Sequence, residues 1–266
     1  MTRMAANAHM KRLFILKIGS TYPAIAKRHG DFDVWTMKTL GDVNLETRVL
    51  DIEHGAPLPA ADGCAGVVIM GSHAYVTDGL PWSIAIEQWI PTLLQARIPL
   101  LGICYGHQLL ARATGGTVGF HPGGAEFGSV PVRLLPDCAD DLLFSSLPGT
   151  FPAHVTHSQT VLRLPPDAVL LASGIHEPHQ AFRIGECAWG VQFHPEYTAD
   201  IMRSYIEAHA VEIASAGRKV VELLQAVEET PIAALVLKNF GRFVEDRLES
   251  TVVAGHDPVA APDEIH

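Results

Sequence analysis

The stretch PLLGICYGHQLLARATGG, residues 99–116, constrains the fold more than any other part of the chain. It opens as an apolar run of strand length, turns at Cys104, and continues as a helix-like segment closed by glycines. Gly102 and Gly106 stand two residues before and two residues after the cysteine, where side chains would collide in a tight turn. A strand that feeds a helix through such a turn presents the turn residue above the carboxyl edge of a sheet. Ligands bind at that edge in open α/β folds. The pattern is that of a G-x-S-x-G nucleophile elbow, written here with a thiol. The helix N-terminus, carrying about half a positive charge, favours thiolate there. The plainer alternative is that Cys104 is a small core hydrophobe.

The rest of the N-terminal half supplies the sheet that such an elbow needs. RLFILKIG (12–19) and GVVIMGS (66–72) read as buried strands ending in glycine, and NLETRVLDI (44–52) alternates like a strand. DFDVWTMKTLG (31–41) and PWSIAIEQWIPTLLQA (81–96) have helical spacing. Strands alternating with helices imply a parallel sheet with crossovers. After residue 117 the rhythm changes to short strands separated by turns: SVPVRLL, HVTHSQTVLRL, AVLLASG, HQAFRIG and CAWGVQF. These are expected as antiparallel additions at the sheet edge, with WGVQF returning to the centre. From Thr198 the pattern is helical.

The expected architecture is a single α/β domain with a mostly parallel open sheet, helices on both faces, antiparallel edge strands and a C-terminal helical extension. Its expected division is a flexible N-terminus over 1–11, the domain over 12–215, C-terminal helices over 216–248 and a flexible tail over 249–266.

Composition narrows the function. The chain of 266 residues carries a formal charge of −10, which argues against wrapping nucleic acid or lying on an anionic membrane. No apolar run reaches the roughly 18–20 residues needed to span a bilayer, and the first residues lack the apolar core of a signal peptide. Four cysteines with no CxxC spacing point to free thiols in a reducing cytoplasm. The fourteen histidines are scattered over loop-like positions with no HExxH pair, so no metal and no cofactor is expected.

A thiolate nucleophile needs a base. Ninety residues beyond Cys104, WGVQFHPEY (189–197) places His194 and Glu196 after an apolar strand, with Pro195 between them. Proline favours an extended residue before it, and positions i and i+2 of an extended segment point the same way. Glu196 can therefore orient the imidazole of His194, and His194 can face Cys104, giving Cys–His–Glu. The alternative is a turn with a helix-start glutamate.

GICYGHQLL together with GVQFHPE resembles the class I glutamine amidotransferases, and most of all the glutaminase domain of GMP synthase and its stand-alone relatives. The resemblance extends over about residues 12–215. It implies that Cys104 attacks the side-chain amide of glutamine, ammonia leaves, and a γ-glutamyl thioester is hydrolysed. His194 would be base and acid, and Glu196 would hold it. It implies an oxyanion hole of main-chain N–H groups from Tyr105 and from the turn after the preceding strand. That turn, often Gly-Gly-Pro, keeps Gly71 here but has Ser72 and His73 in the next two places.

By the same resemblance Gln108 helps fix the amino-acid end of the substrate. VTHSQTV (155–161) aligns with a Ser-His-Gly-Asp segment, so His157 is kept, while Ser158 and Gln159 stand where Gly and Asp would be. His157 and Ser158 are expected substrate contacts, and the missing acidic group leaves the exact substrate open. The implied partners are a small molecule, either glutamine or a γ-glutamyl amide, and a synthetase or other ammonia-acceptor protein, because no P-loop or SGGVDS-like phosphate loop is found. Two alternatives stand beside this: a γ-glutamyl peptide or amide hydrolase with the same triad, and a non-catalytic regulatory protein on this scaffold.

Overall fold

The computed structural model describes residues 11–254. The expected N-terminal segment and tail therefore lie outside the described residues over 1–10 and 255–266.

The N-terminal half builds β1 (Arg12–Lys17), α1 (Pro23–His29), α2 (Phe32–Leu40), β2 (Thr47–Asp51), β3 (Cys64–Ile69), α3 (Pro81–Gln95), β4 (Leu100–Ile103) and α4 (Tyr105–Ala113). Then follow β5 (Thr117–Phe120), β6 (Glu126–Leu134), β7 (Thr150–His157), β8 (Gln159–Arg163), β9 (Ala168–Ser173), β10 (Ala181–Ile184) and β11 (Ala188–Val191). The C-terminal part is helical: α5 (Ala199–Ala208), α6 (Ala210–Ser215), α7 (Val220–Gln225) and α8 (Pro231–Ala254).

Nine strands form one sheet in the order β2-β1-β3-β4-β11-β10-β9-β6-β7. The first five run parallel, and the pairings from β11 to β7 are antiparallel. The last strand in sequence thus returns to the middle, beside the strand that carries the elbow. β5 and β8 make a separate two-stranded sheet.

Alternation along β1 shows why both faces must be covered. Leu13 and Ile15 are buried against α2, α5 and α8, whereas Phe14 and Leu16 are buried against α3 and α4. HVTHSQTVLRL reads as one strand in sequence but is two, broken at Ser158. β7 pairs with β6 in the large sheet and β8 with β5 in the small one.

The C-terminal helices are longer than the expected 216–248. α8 runs to Ala254, because no proline or glycine interrupts the chain between Gly241 and Gly255. It packs on the sheet through Val236, Leu237, Phe240 and Val244, in the same core cluster as Leu13 and Val68. Among the described residues, no helix is long and apolar enough to cross a membrane.

Candidate active site

Cys104 is the residue between β4 and α4, with φ 49° and ψ −96°. A positive φ on a non-glycine residue costs on the order of 1–3 kcal/mol and persists only where the surroundings enforce it. The two flanking glycines show what enforces it. A Cβ on Gly102 would fall on the carbonyl group of Gly106 and 2.7 Å from the main-chain nitrogen of His107. A Cβ on Gly106 would fall on the carbonyl oxygen of Ile69 and 2.9 Å from its Cβ. The turn is therefore packed backbone against backbone, between β4 and the end of β3.

The turn presents the thiol at the sheet edge without exposing it. Cys104 is only 7% accessible and lies on the wall of a pocket with Ser72, His73, Tyr105, Gln108, Thr156, His157, Ser158, His194 and Tyr197. It is buried because β11 and the end of β7 close around it: its N–H donates to Val191 O at 2.8 Å, and Thr156 O is 3.9 Å from Sγ. The other three cysteines are also free and buried, but none lines this pocket.

His194 follows β11 and is almost completely buried. Its main-chain N–H donates to His154 O at 2.8 Å, which fixes the segment against β7. Its Nδ1 is 2.7 Å from Glu196 Oε1. The ring stacks on Tyr197 with centroids 4.1 Å apart. Gly71 touches both partners: a Cβ there would lie 3.1 Å from Cε1 of His194 and 3.8 Å from Cβ of Cys104. Burial disfavours the imidazolium, but Glu196 and Cys104 beside it outweigh burial, and the histidine is raised to about 10. An imidazolium is thus held next to the thiol at neutral pH.

The remaining sequence-derived residues fall around the same pocket. Tyr105 opens α4, so its N–H belongs to the first turn, which has no intrahelical acceptor. Its side chain points away from the site, with Oη donating to Ser83 Oγ at 2.7 Å. Ser72 lines the pocket, and its Oγ accepts from Ala74 N–H at 3.2 Å. Gln108 Nε2 donates to Gln159 O at 2.7 Å and to Gln192 Oε1 at 3.0 Å. His157 meets Gln159 O through Nδ1 at 3.0 Å and Glu126 through Nε2 at 3.2 Å. Both ring nitrogens of His157 are engaged within the protein, so the ring buttresses the Ser158–Gln159 segment. Ser158 lies at the break between β7 and β8, on the pocket wall.

Sequence reasoning missed one wall and one contact. Tyr22 just before α1, Phe32 in α2, Phe127 in β6, His209 between α5 and α6, and Glu212 in α6 also line the pocket. The rings of Tyr22 and His73 lie 4.4 Å apart, tilted by 31°, and Tyr22 Oη is 3.1 Å from His209 Nε2. Burial lowers His73 to about 4, so it is a neutral ring at neutral pH. No spacing pattern joins residues 22, 127 and 209, and only the fold brings them together. Gln192 was legible in part: it stands two residues before His194 in WGVQFHPEY, although residues 192–193 form a bend and 195–196 a turn rather than a continued strand. Among the described residues, no group of three or more His, Cys, Asp or Glu is placed to hold a metal ion.

A strained cysteine turn at the carboxyl edge of a parallel sheet, with a carboxylate-bound histidine from the adjoining strand, defines a class of proteins. The class-I glutamine amidotransferase family matches residues 30–213, and this chain belongs to that family. Among its relatives, the glutamine-hydrolyzing GMP synthase of Aeropyrum pernix is 34% identical over 206 residues, which are 75% of this chain. The chain spans 37% of that protein's length. A crystal structure of a glutamine amidotransferase from Thermotoga maritima is 26% identical with a TM-score of 0.68, over 89% of this chain and 99% of that one. A glutamine amido transferase from Methylobacillus flagellatus, at 22% identity and a TM-score of 0.65, shares the fold over 97% of this chain and 99% of its own.

Proposed function

We propose that this protein hydrolyses the side-chain amide of glutamine to glutamate and ammonia through a γ-glutamyl thioester on Cys104. The observation that carries this reading is the 2.7 Å hydrogen bond from His194 to Glu196, beside a cysteine held at φ 49°. With His194 raised to about 10, the ring stands as imidazolium beside Cys104, and the thiolate of Cys104 is the attacking species. Sγ attacks the amide carbon. The carbonyl oxygen takes the negative charge and is met by N–H groups of Tyr105 and of the Gly71–Ser72 turn, each such donor being worth about 3–4 kcal/mol of barrier. Imidazolium protonates the leaving nitrogen, which departs as ammonia. Neutral His194 then takes a proton from water, hydroxide attacks the thioester carbonyl, and the thiolate is regenerated as glutamate leaves. Glu196 holds the ring and stabilises its charged form throughout.

Within this reading Gln108 and Ser158 contact the amino-acid end of the substrate. Ammonia is mostly ammonium in neutral water and is then not a nucleophile. An amidotransferase role therefore needs a synthetase or other acceptor protein docked over the pocket, and a low rate for the isolated chain. A second reading, a γ-glutamyl amide hydrolase, is favoured by the wall of Tyr22, Phe32, His73 and Phe127, which gives an amide substituent an apolar surface to rest on. The test is glutamate release from glutamine and from several γ-glutamyl amides by the purified chain. Slow glutamine hydrolysis that disappears in Cys104→Ala supports the first reading. Turnover near 10 per second, a typical enzyme value, on an amide with none on glutamine supports the second. No Cys104-dependent release from any of them sinks both, leaving a regulatory role.

A further inference from the structure

The side chain of Gln192 is wholly buried, and its Nε2 lies 3.5 Å from Sγ of Cys104. Amide nitrogen and oxygen look alike, so what faces the sulfur has to be settled from the hydrogen-bond network. The network here has only one solution. The main-chain oxygen of Gln159 can only accept, and the Gln108 amide lies 2.7 Å from it, so the Gln108 group there is its NH₂. The same nitrogen is 3.0 Å from the Gln192 amide and must donate its other hydrogen to it. The Gln192 atom that receives it is therefore the oxygen, and its NH₂ is what remains to face Cys104.

Register and main-chain bonds hold this chain of amides in place. β11 and β4 run in parallel with Gly190 opposite Gly102 and Val191 opposite Ile103, so the next pair in step is Gln192 and Cys104. Gln192 N–H donates to Gln180 O at 2.9 Å. At the far end, Gln159 O also accepts from His157 Nδ1 at 3.0 Å, and the Gln159 side chain reaches Thr77 Oγ1 at 2.6 Å.

We propose that Gln192 is a built-in donor to the Cys104 thiolate, aimed by a relay that starts at the Gln159 carbonyl and passes through Gln108. This rests on Cys104 being the nucleophile of the proposed reaction. A donor to the charged form stabilises that form, and in a buried site the bond is not diluted by water. Gln192 thus acts before substrate arrives. The relay also sets what Gln108 can offer a ligand. Both its amide hydrogens are spent inside the protein, so only Oε1 is left, and the group it recognises must be a hydrogen-bond donor such as the substrate ammonium.

The other titratable groups around Cys104 come from several elements. His194, Glu196 and Tyr197 follow β11, His73 follows β3, and His157 with Glu126 stands at the ends of β7 and β6. Tyr22, His209 and Glu212 line the same pocket. None of them is altered by a substitution at Gln192, so a shift in thiolate formation reports on the Gln192 bond.

The test is the pH dependence of Cys104 alkylation by limiting iodoacetamide between pH 5 and 9, read by peptide mass spectrometry on the full chain. Wild type is compared with Gln192→Met and Gln192→Glu. The expected result is a half-maximal rate displaced upward by about one pH unit in Gln192→Met. This is about a tenfold slower reaction on the acid limb. A larger displacement is expected in Gln192→Glu, where an acceptor replaces the donor. Glutamine kcat should fall in step, with KM changed by less than about threefold. A packing role makes the opposite forecast, since Glu is the closer isostere and should be the milder change. An alkylation profile unchanged in Gln192→Met overturns the proposal, including where Gln192→Glu does not fold. The alkylation readout needs no turnover: a shifted profile in a chain that does not hydrolyse glutamine upholds the relay and sinks the glutaminase reading instead.

Discussion

The main-chain N–H of Cys104 donates to the carbonyl of Val191 at 2.8 Å, three residues before His194. The nucleophile turn and the segment carrying the histidine are therefore joined by backbone, and His194 is joined in turn to His154. The spacing of the site does not depend on the side chains that would do chemistry there, so those side chains can be exchanged without moving the frame.

That makes Glu196→Gln an informative change. The amide keeps the shape and can still meet Nδ1, but it no longer stabilises imidazolium. Glutamine turnover is expected to fall roughly a hundredfold, the low end of what a positioned proton-transfer pair supplies, and by less than in Cys104→Ala. Steady-state kinetics with circular dichroism as the fold control would check it. Equal turnover in the two proteins would remove Glu196 from the mechanism.

The same variant should change how stability depends on pH. His194 is raised from 6.5 to about 10 in the folded protein, against burial, by Glu196 and Cys104. Its contribution is fully present below pH 6.5 and is lost as pH rises through about 10, since the folded state then gives up the proton it held. The urea-unfolding difference between wild type and Glu196→Gln should be largest near pH 6 and shrink toward pH 10. A difference that grows with pH would contradict the assignment.

Alkylation should select one thiol of four. Burial pushes Cys64 and Cys138 up to about 11 and raises Cys187 as well, so these stay protonated and inert near neutral pH. Cys104 lines the pocket and faces an imidazolium. Brief iodoacetamide treatment followed by mass spectrometry is expected to label Cys104 first. Earlier labelling of Cys138 or Cys187 would count against the elbow.

Gly102→Ala and Gly106→Ala should each destabilise the protein by at least the ~1–3 kcal/mol of an overpacked core. Their new methyl groups meet main-chain atoms of Gly106 and Ile69, which cannot swing aside. Gly149→Ala, whose Cβ would meet nothing within 4 Å, serves as the control. Thermal denaturation of the three variants would rank them.

Asp31 ties the pocket wall to the first strand. Its carboxylate accepts from Thr21 N–H at 2.8 Å and Phe32 N–H at 2.9 Å, and Lys17 Nζ lies 2.7 Å away. Partial burial opposes its charge, but the Lys17 ammonium and the two N–H groups prevail and lower it from 3.8. Asp31→Ala removes a helix cap and should cost ~1–2 kcal/mol. Since the folded carboxyl is the stronger acid, its contribution is present above pH 3.8 and is lost as pH falls below it. The gap in denaturant midpoint between variant and wild type should hold above about pH 5 and narrow as pH falls through 3.8 and below.

By itself the sequence determined the parallel half of the sheet, the elbow at Cys104 and the pairing of His194 with Glu196. Each of these is written locally. Apolar runs of strand length and glycines at fixed offsets specify backbone conformation within a few residues, and His194 and Glu196 are close enough in sequence to meet, here across a turn at 195–196 rather than along an extended strand. GICYGHQLL and GVQFHPE then sufficed for the family. What the tertiary structure decided is what crosses long stretches of chain. The register of β11 on β4 brings Gln192 opposite Cys104, 88 residues away in sequence. The break at Ser158 sends β7 and β8 into different sheets and leaves the Gln159 carbonyl free to aim Gln108. The burial of Cys104 and the wall of Tyr22, His73, Phe127 and His209 likewise come from strands and helices closing over the sheet edge. Such contacts are set by packing among distant elements, and no period or spacing within one segment encodes them.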